Sequence, residues 1–324
     1  MAIPDLSTVF RAEVVAARLE GALRADADLA ASWRAAAGVQ EACASVWLED
    51  LPVSPDALLC RGFRGEMGDP DQDRALIAGA AMLRGLHSPG DLLRDPRAVL
   101  DRIWTLACGS DMGRAPFGQS NQELIQEALR EADSPILGAV AVAQVVSAAT
   151  EGRAPSAERL AFVAADHALR GSGRFMAGEA EPHELVAAPR GLWVVQPSVG
   201  LTEHGFRLWS VNRPERVGEL LTGLTRALER ALGALALHRR WLDAVRGKAA
   251  TAHGKSRLPD LARLLMTRPI VTSGDVAARL SMSPRGALYL VERAEDEGLI
   301  SKITPRSTYR AWATVPLASM IGRG

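Results

Sequence analysis

The fold of the C-terminal region is decided by Leu258–Ile303, which reads LPDLARLLMTRPIVTSGDVAARLSMSPRGALYLVERAEDEGLISKI. Its first part, LPDLARLLMT, places Leu261, Leu264 and Leu265 on one face of a helix, and Pro269 ends that helix. Two more helical patterns follow after short interruptions. The stretch therefore predicts three short helices that pack against one another.

Capping residues mark the second and third of these helices. Thr272 or Ser273 begins the second, whereas Ser283 begins the third, with Pro284 at its first position and Gly298 at its end. Apolar residues recur at helical spacing along both helices and predict a common core; they are Val276, Ala277, Leu280, Ala287, Leu288, Val291 and Ala294.

Two strand patterns follow the third helix. Leu299–Ile303 and Thr308–Ala313 alternate in polarity around the sequence TPRS, which is typical of a hairpin turn. Three helices followed by a β-hairpin wing predict a winged helix-turn-helix module over residues 258–315.

The sequence before this module predicts a helical domain over residues 1–246 and a small, polar, basic linker over residues 247–257. Alanine and leucine are abundant and aromatic residues make up only 5% of the 324-residue chain, so the predicted fold class is mainly α, with the small wing at its end. Helices are predicted at Phe10–Gly38, Val39–Leu48, Arg74–Leu86, Pro96–Ala107, Gln119–Ala132, Ser134–Thr150, Ser156–Leu169 and Pro214–Val245, and a strand at Leu192–Gln196.

The net charge of zero hides an asymmetry between the two parts of the chain. Arg246–Arg310 holds 12 Lys and Arg against 6 Asp and Glu, a local net charge of +6, whereas Met1–Val245 has a net charge of −7. An acidic body with a basic C-terminal region favours a nucleic-acid partner. We therefore expect the module to bind double-stranded DNA as a sequence-specific transcriptional regulator.

The side chains left outside the core stripe indicate how the module would contact DNA. Arg285 and Tyr289 lie early in the third helix, where a recognition helix enters the major groove, and they are the predicted base contacts. The other predicted DNA-binding residues, for phosphate, backbone or minor-groove contacts, are Ser283, Gly286, Arg293, Lys302, Arg306, Arg310 and Arg279. A cluster of acidic residues late in the same helix would repel phosphate, and it favours the alternative that the module contacts protein; it comprises Glu292, Glu295, Asp296 and Glu297.

The sequence of this module resembles the winged helix-turn-helix of bacterial regulators, especially the C-terminal module found behind Fic-type domains. The whole chain resembles a plasmid-associated alphaproteobacterial family with a helical domain and this DNA-binding end. The resemblance implies DNA binding at the C-terminal end and implies no particular activity for the helical part.

A fainter resemblance to Fic-type proteins concerns the first half of the chain. EACASVWLEDLPVSPDALL, Glu41–Leu59, is similar to the segment before many Fic domains, with Asp50 where that family has glycine. The family's catalytic signature, His-Pro-Phe-x-x-Gly-Asn-Gly-Arg, is absent, and ADHALRGSGR, with His167 and Arg174, is among the nearest sequences. Two alternatives to a regulator are therefore a degenerate nucleotidyl or phosphoryl transferase, and a protein-interaction component of a plasmid or toxin–antitoxin system.

Other patterns predict no catalytic residue, cofactor or metal site. The histidines form no HxxxH or HExxH pair, and His238 is interpreted as a cation near a helix C-terminus. No CxxC pair, secretion signal or membrane-length apolar run occurs, so we expect a cytoplasmic protein without membrane contact. We also expect a homodimer, and the leucine stripe of Pro214–Val245 is a candidate surface for it.

Overall fold

The computed structural model describes residues 5–48, 50–59, 70–88, 90–108, 113–151, 157–171, 197–204, 213, 216–254, 256–304 and 310–321. This part of the chain is mainly helical and carries a small antiparallel sheet near the C terminus, which confirms the predicted fold class. Before the C-terminal module the helices are α1 (Leu6–Arg24), α2 (Ala27–Trp47), α3 (Pro55–Ala57), α4 (Pro70–His87), α5 (Pro96–Cys108), α6 (Gln119–Glu131), α7 (Pro135–Thr150), α8 (Ala157–Gly171), α9 (Pro197–His204) and α10 (Val217–Thr251). The predicted strand at Leu192–Gln196 lies outside the described residues.

The first two helices divide at a different place from the one predicted. The chain breaks at Ala25–Asp26, and α2 then continues without interruption through Gly38 to Trp47. The Asp26 carboxylate accepts hydrogen bonds from the backbone N–H groups of Asp28 and Leu29, and thus caps the new helix. The prediction was wrong because it followed the apolar periodicity across this cap.

The long helix α10 packs one face against α1, α2 and α9, while its other face is exposed to solvent. The residues of its leucine stripe that are fully buried are Leu220, Leu221, Leu224, Leu228 and Leu235. The stripe therefore packs on its own chain, and the hypothesis that it forms a dimer surface is wrong. The helix also ends at Thr251 instead of Val245, so residues 247–251 of the predicted linker are helical.

His238 lies inside α10, not near its C-terminus, so its interpretation as a terminal cation is wrong. The ring is buried, and its Nδ1 lies 2.8 Å from Ser32 Oγ on α2. Burial lowers the pKa of His238 to about 4, which keeps the imidazole neutral at physiological pH.

The C-terminal module contains α11 (Leu258–Thr267), β1 (Ile270–Thr272), α12 (Ser273–Arg279), α13 (Pro284–Asp296), β2 (Ile300–Lys302), β3 (Ala311–Thr314) and α14 (Val315–Ile321). The sheet has the order β1-β3-β2, and both pairings are antiparallel, with Ile270 opposite Ala313 and Ile300 opposite Thr314. Strand β1 and helix α14 were not predicted. Strand β3 also begins at Ala311, later than the predicted start at Thr308.

The module packs directly on the helical part. Trp241 of α10 is buried, and its Nε1 donates a 2.7 Å hydrogen bond to the carbonyl oxygen of Leu299, which precedes β2. In a second contact, Ala36 of α2 shares a small apolar cluster with Ala313 of the sheet and Leu317 of α14. The apolar core therefore continues from the helical part into the module.

No helix in the described part of the chain is long and apolar enough to span a membrane.

Candidate nucleic-acid interface

The three helices of the module form the predicted bundle. Val276 of α12 and Ala287, Val291 and Ala294 of α13 are fully buried, together with Leu261 of α11. The other residues of the predicted core stripe, Ala277, Leu280 and Leu288, are partly buried. The bundle fixes the position of α13 and thereby decides which of its side chains face outward.

Helix α12 begins at Thr272 with a capping box. The Thr272 hydroxyl accepts a hydrogen bond from Asp275 N at 3.2 Å, and the Asp275 carboxylate accepts one from Thr272 N at 2.9 Å. The reciprocal pair satisfies backbone donors that a helix start leaves open. The Thr-x-x-Asp spacing is visible in the sequence, but only its first residue was predicted.

The turn between α12 and α13 is tight. Met282 N donates to the Ala277 carbonyl oxygen at 2.9 Å, and Ser281 adopts a positive φ of 51°. Ser283 then accepts a 3.2 Å hydrogen bond from Gly286 N, with Pro284 following it, as predicted for the start of α13. The turn and cap therefore hold the start of α13 in a fixed place relative to α12.

A Schellman motif ends α13. Leu299 N donates to the Ala294 carbonyl oxygen and Gly298 N donates to that of Glu295, both at 2.9 Å. Gly298 has φ +72°, the conformation that favours glycine at this position. The chain then turns directly into β2, so the length of α13 and the start of the wing are set together.

The first turns of α13 present a cation and an aromatic ring to solvent. Arg285 is exposed and makes no ion pair or hydrogen bond with the described residues, and Tyr289 is 70% exposed. Gly286 lies beside them, and a Cβ there would come within 3.1 Å of Ser283 Oγ. The helix start therefore combines a guanidinium without a partner among the described residues, an exposed aromatic ring and a glycine, which is a combination that suits contact with a nucleic-acid groove.

Two of the predicted DNA-binding arginines have a partner within the module. Arg293 Nε lies 2.9 Å from Glu297 Oε1, and Arg310 Nη1 lies 3.0 Å from Glu292 Oε1. Both pairs are partly exposed, so solvent screens them and phosphate can compete for each arginine. These two cations are nevertheless less available than Arg285.

The acidic cluster late in α13 is largely engaged in contacts within the module. Glu292 and Glu297 form the two ion pairs with arginine, and Glu295 Oε2 accepts a 2.6 Å hydrogen bond from Nε1 of the buried Trp312. Asp296 is the exposed member of the cluster. The carboxylates thus tie the end of α13 to the wing, a role that the sequence pattern did not reveal.

The wing carries a second available cation. Lys302 is exposed at the end of β2 and makes no ion pair with residues that the structure describes, while Arg310 precedes β3. Arg306 lies outside the described residues. Lys302 and Arg310 are therefore the described positive charges on the wing.

The arginines outside α13 and the wing differ in their surroundings. Arg279 is exposed at the end of α12. Arg257 forms an ion pair with Asp260 at 2.6 Å and donates from Nη2 to the Leu280 carbonyl oxygen at 2.8 Å. Arg257 thus helps to hold the end of α12, a structural contact that its charge alone did not predict.

The residues of the Fic-like resemblance do not form an open site in the described part of the structure. His167 of α8 is completely buried, with Nε2 at 3.1 Å from the Gly85 carbonyl oxygen and 3.2 Å from Ser88 Oγ. Ser45 of α2 is buried as well. Arg174 lies outside the described residues. Burial favours a core role for His167 over catalysis.

Comparison with known protein families matches residues 258–315 to the family described as HTH DNA binding domain. These are the residues predicted for the winged helix-turn-helix module, and they include the bundle, α13 and the sheet. Comparison of the chain with curated proteins gives no match. The protein therefore carries a C-terminal helix-turn-helix DNA-binding domain, attached to a helical part that contains ten of the described helices.

Proposed function

We propose that the protein is a transcriptional regulator that binds specific sequences of double-stranded DNA, with α13 in the major groove. The observation that carries this proposal is the pair Arg285 and Tyr289, both exposed at the start of α13. Arg285 has no intramolecular partner among the described residues, so its binding to DNA breaks no ion pair. An arginine in this position can donate two hydrogen bonds to the O6 and N7 atoms of guanine.

The other predicted residues contribute to orientation on the duplex. Ser283 and Gly286 lie at the start of α13, where the positive end of the helix attracts a phosphate. Residues on or beside the wing contact backbone or minor groove: Lys302, Arg306 and Arg310. Arg279 and Arg293 add phosphate contacts. Because Arg293 and Arg310 must first leave a carboxylate, each contributes less than Lys302.

The helical part, residues 1–246, holds the module in a defined orientation instead of releasing it on a flexible tether of residues 247–257. The Trp241–Leu299 hydrogen bond and the cluster around Ala36 support this division of roles, because they connect both α10 and α2 to the module. A structural change in the helical part therefore reaches the module through either of these two contacts.

The experiment that tests sequence recognition is selection of bound fragments from a random double-stranded DNA pool. Wild type is compared with Arg285→Ala, with Lys302→Ala, and with Arg130→Ala as a control, since Arg130 is exposed on α6 outside the module. We expect wild type and Arg130→Ala to enrich the same motif. Arg285→Ala should lose preference at one base pair, and Lys302→Ala should keep the motif with lower affinity.

The proposal fails if wild type enriches no motif while still binding DNA, because the protein would then bind the duplex without reading its sequence. It also fails if Arg285→Ala selects the wild-type motif unchanged.

A further inference from the structure

The two described cations of the wing have different surroundings. Lys302, at the end of β2, is exposed and makes no ion pair with the residues that the structure describes. Arg310 precedes β3, and its Nη1 lies 3.0 Å from Oε1 of Glu292 on α13. A carboxylate of the protein therefore occupies Arg310 before any DNA arrives, whereas no described residue does the same to Lys302.

We infer that Glu292 is an autoinhibitory residue of the DNA-binding surface. Its carboxylate competes with DNA phosphate for Arg310 and thereby lowers the affinity of the protein for DNA of any sequence. The inference rests on the proposed DNA binding by α13 and the wing, and it concerns the strength of that binding, not the motif that is read. Sequence-independent affinity comes from neutralisation of phosphates by Lys and Arg, so one withheld arginine weakens it directly.

The ion pair is built into the packing of α13 against β3. One turn after Glu292, Glu295 Oε2 accepts a 2.6 Å hydrogen bond from Nε1 of the buried Trp312. The two glutamates lie three residues apart on a helix and therefore share a face of α13. Arg310 and Trp312 lie two residues apart where β3 begins, so they also point to one side. The contact of Trp312 with α13 thus holds Arg310 within reach of Glu292.

Glu292 lies on the same face of α13 as the proposed base contacts. It follows Arg285 by seven residues and Tyr289 by three, which is helical spacing. A carboxylate on this face repels phosphate, so Arg310 is attracted by two anions, Glu292 and the duplex. The Arg310 and Glu292 side chains are 40% and 45% exposed, and solvent screens their attraction. The competition therefore weakens DNA binding without preventing it.

The expected size of the effect follows from this exposure. Partly exposed ion pairs are weak, so Glu292→Gln should raise the affinity for DNA of random sequence by roughly two- to fivefold. The released Arg310 then neutralises one more phosphate. The plot of log affinity against log salt concentration should consequently become steeper by about 0.9.

The test is fluorescence anisotropy of the full-length chain with a labelled duplex of random sequence at several salt concentrations. Glu292→Gln should show the higher affinity and the steeper salt dependence. Asp296→Asn is the matched control, because Asp296 is exposed one turn further along α13 and makes no ion pair with the described residues. It should bind as wild type does. Arg310→Gln should weaken binding less than Lys302→Gln, because Glu292 already withholds Arg310 from the duplex.

The double variant Glu292→Gln/Arg310→Gln separates competition from simple repulsion of phosphate. Without Arg310 there is no cation to release, so the double variant should bind no more tightly than Arg310→Gln alone. A gain that persists in the Arg310→Gln background, or an equal gain in Asp296→Asn, would overturn the inference and leave the proposed DNA binding in place. If wild type and Glu292→Gln both fail to bind the duplex at low salt, the proposed function fails, and the inference fails with it.

Discussion

The hydrogen bond from Trp241 to Leu299 joins α10, the longest of the described helices, to the DNA-binding module, and its removal should lower the free energy of unfolding. Trp241 is only 3% exposed, and its Nε1 lies 2.7 Å from the Leu299 carbonyl oxygen. Trp241→Phe keeps an aromatic ring in the core and removes the donor. Because the carbonyl is then left buried without this partner, the free energy of unfolding should fall by about 1–3 kcal/mol.

The smaller ring adds a second loss. Phenylalanine leaves part of the indole volume empty, which costs about 1 kcal/mol where the surrounding core cannot collapse. The expected total is about 2–4 kcal/mol. A matched control is Trp47→Phe, because Trp47 is 50% exposed at the end of α2 and the same substitution there should cost less than about 0.5 kcal/mol.

The assay is urea unfolding followed by circular dichroism, with the module followed separately by a fluorescent label at a cysteine introduced at Asp296. Wild type should unfold with coincident transitions by both probes, because the core is continuous between the two parts. In Trp241→Phe the label should report unfolding at a lower urea concentration than in wild type. Equal midpoints for Trp241→Phe and Trp47→Phe would refute the reasoning that this contact anchors the module.

Three further predictions concern stability. Burial raises the pKa of Glu41 from 4.5 to about 7. The stabilisation that the protonated Glu41 carboxyl provides is therefore present below pH 4.5 and is lost as the pH rises through 7. Relative to Glu41→Gln, the free energy of unfolding of wild type should fall by about 3 kcal/mol over this pH range, as measured by thermal or urea unfolding. A pH-independent difference would contradict this assignment. Ser281→Gly should stabilise the protein by about 0.5 kcal/mol, because Ser281 has φ 51° in the turn between α12 and α13; a lower melting temperature would contradict it. Gly298→Ala should destabilise it by about 1–2 kcal/mol through strain at φ +72°, and an unchanged urea midpoint would exclude that strain.

The module was predicted well because its sequence signals are local. Caps at Thr272 and Ser283, a proline at the first position of α13 and Gly298 at its end all act within a few residues, so they can be read without knowing the tertiary fold. Strand β1 was missed because a three-residue strand is too short to show a period, and it forms only by pairing with β3, which follows much later in the chain.

The helical part was harder to predict for a related reason. The leucine stripe of α10 shows that one face is apolar but does not show what covers it, and the structure covers it with other helices of the same chain. The pairing of Arg293 and Arg310 with acidic residues likewise depends on the geometry between α13 and the wing. The sequence therefore identified the cations near the candidate interface but could not rank them by availability.

The central claim, that α13 and the wing form a DNA-binding surface, is tested most directly by fluorescence anisotropy with labelled double-stranded DNA at two salt concentrations. The protein is wild type, Arg285→Ala or the exposed-arginine control Arg130→Ala. We predict salt-sensitive binding by wild type and the control, with a loss of about 1–3 kcal/mol for Arg285→Ala on the selected motif, or roughly 5- to 150-fold in Kd. Folded wild-type protein that shows no affinity for DNA at low salt would contradict the claim.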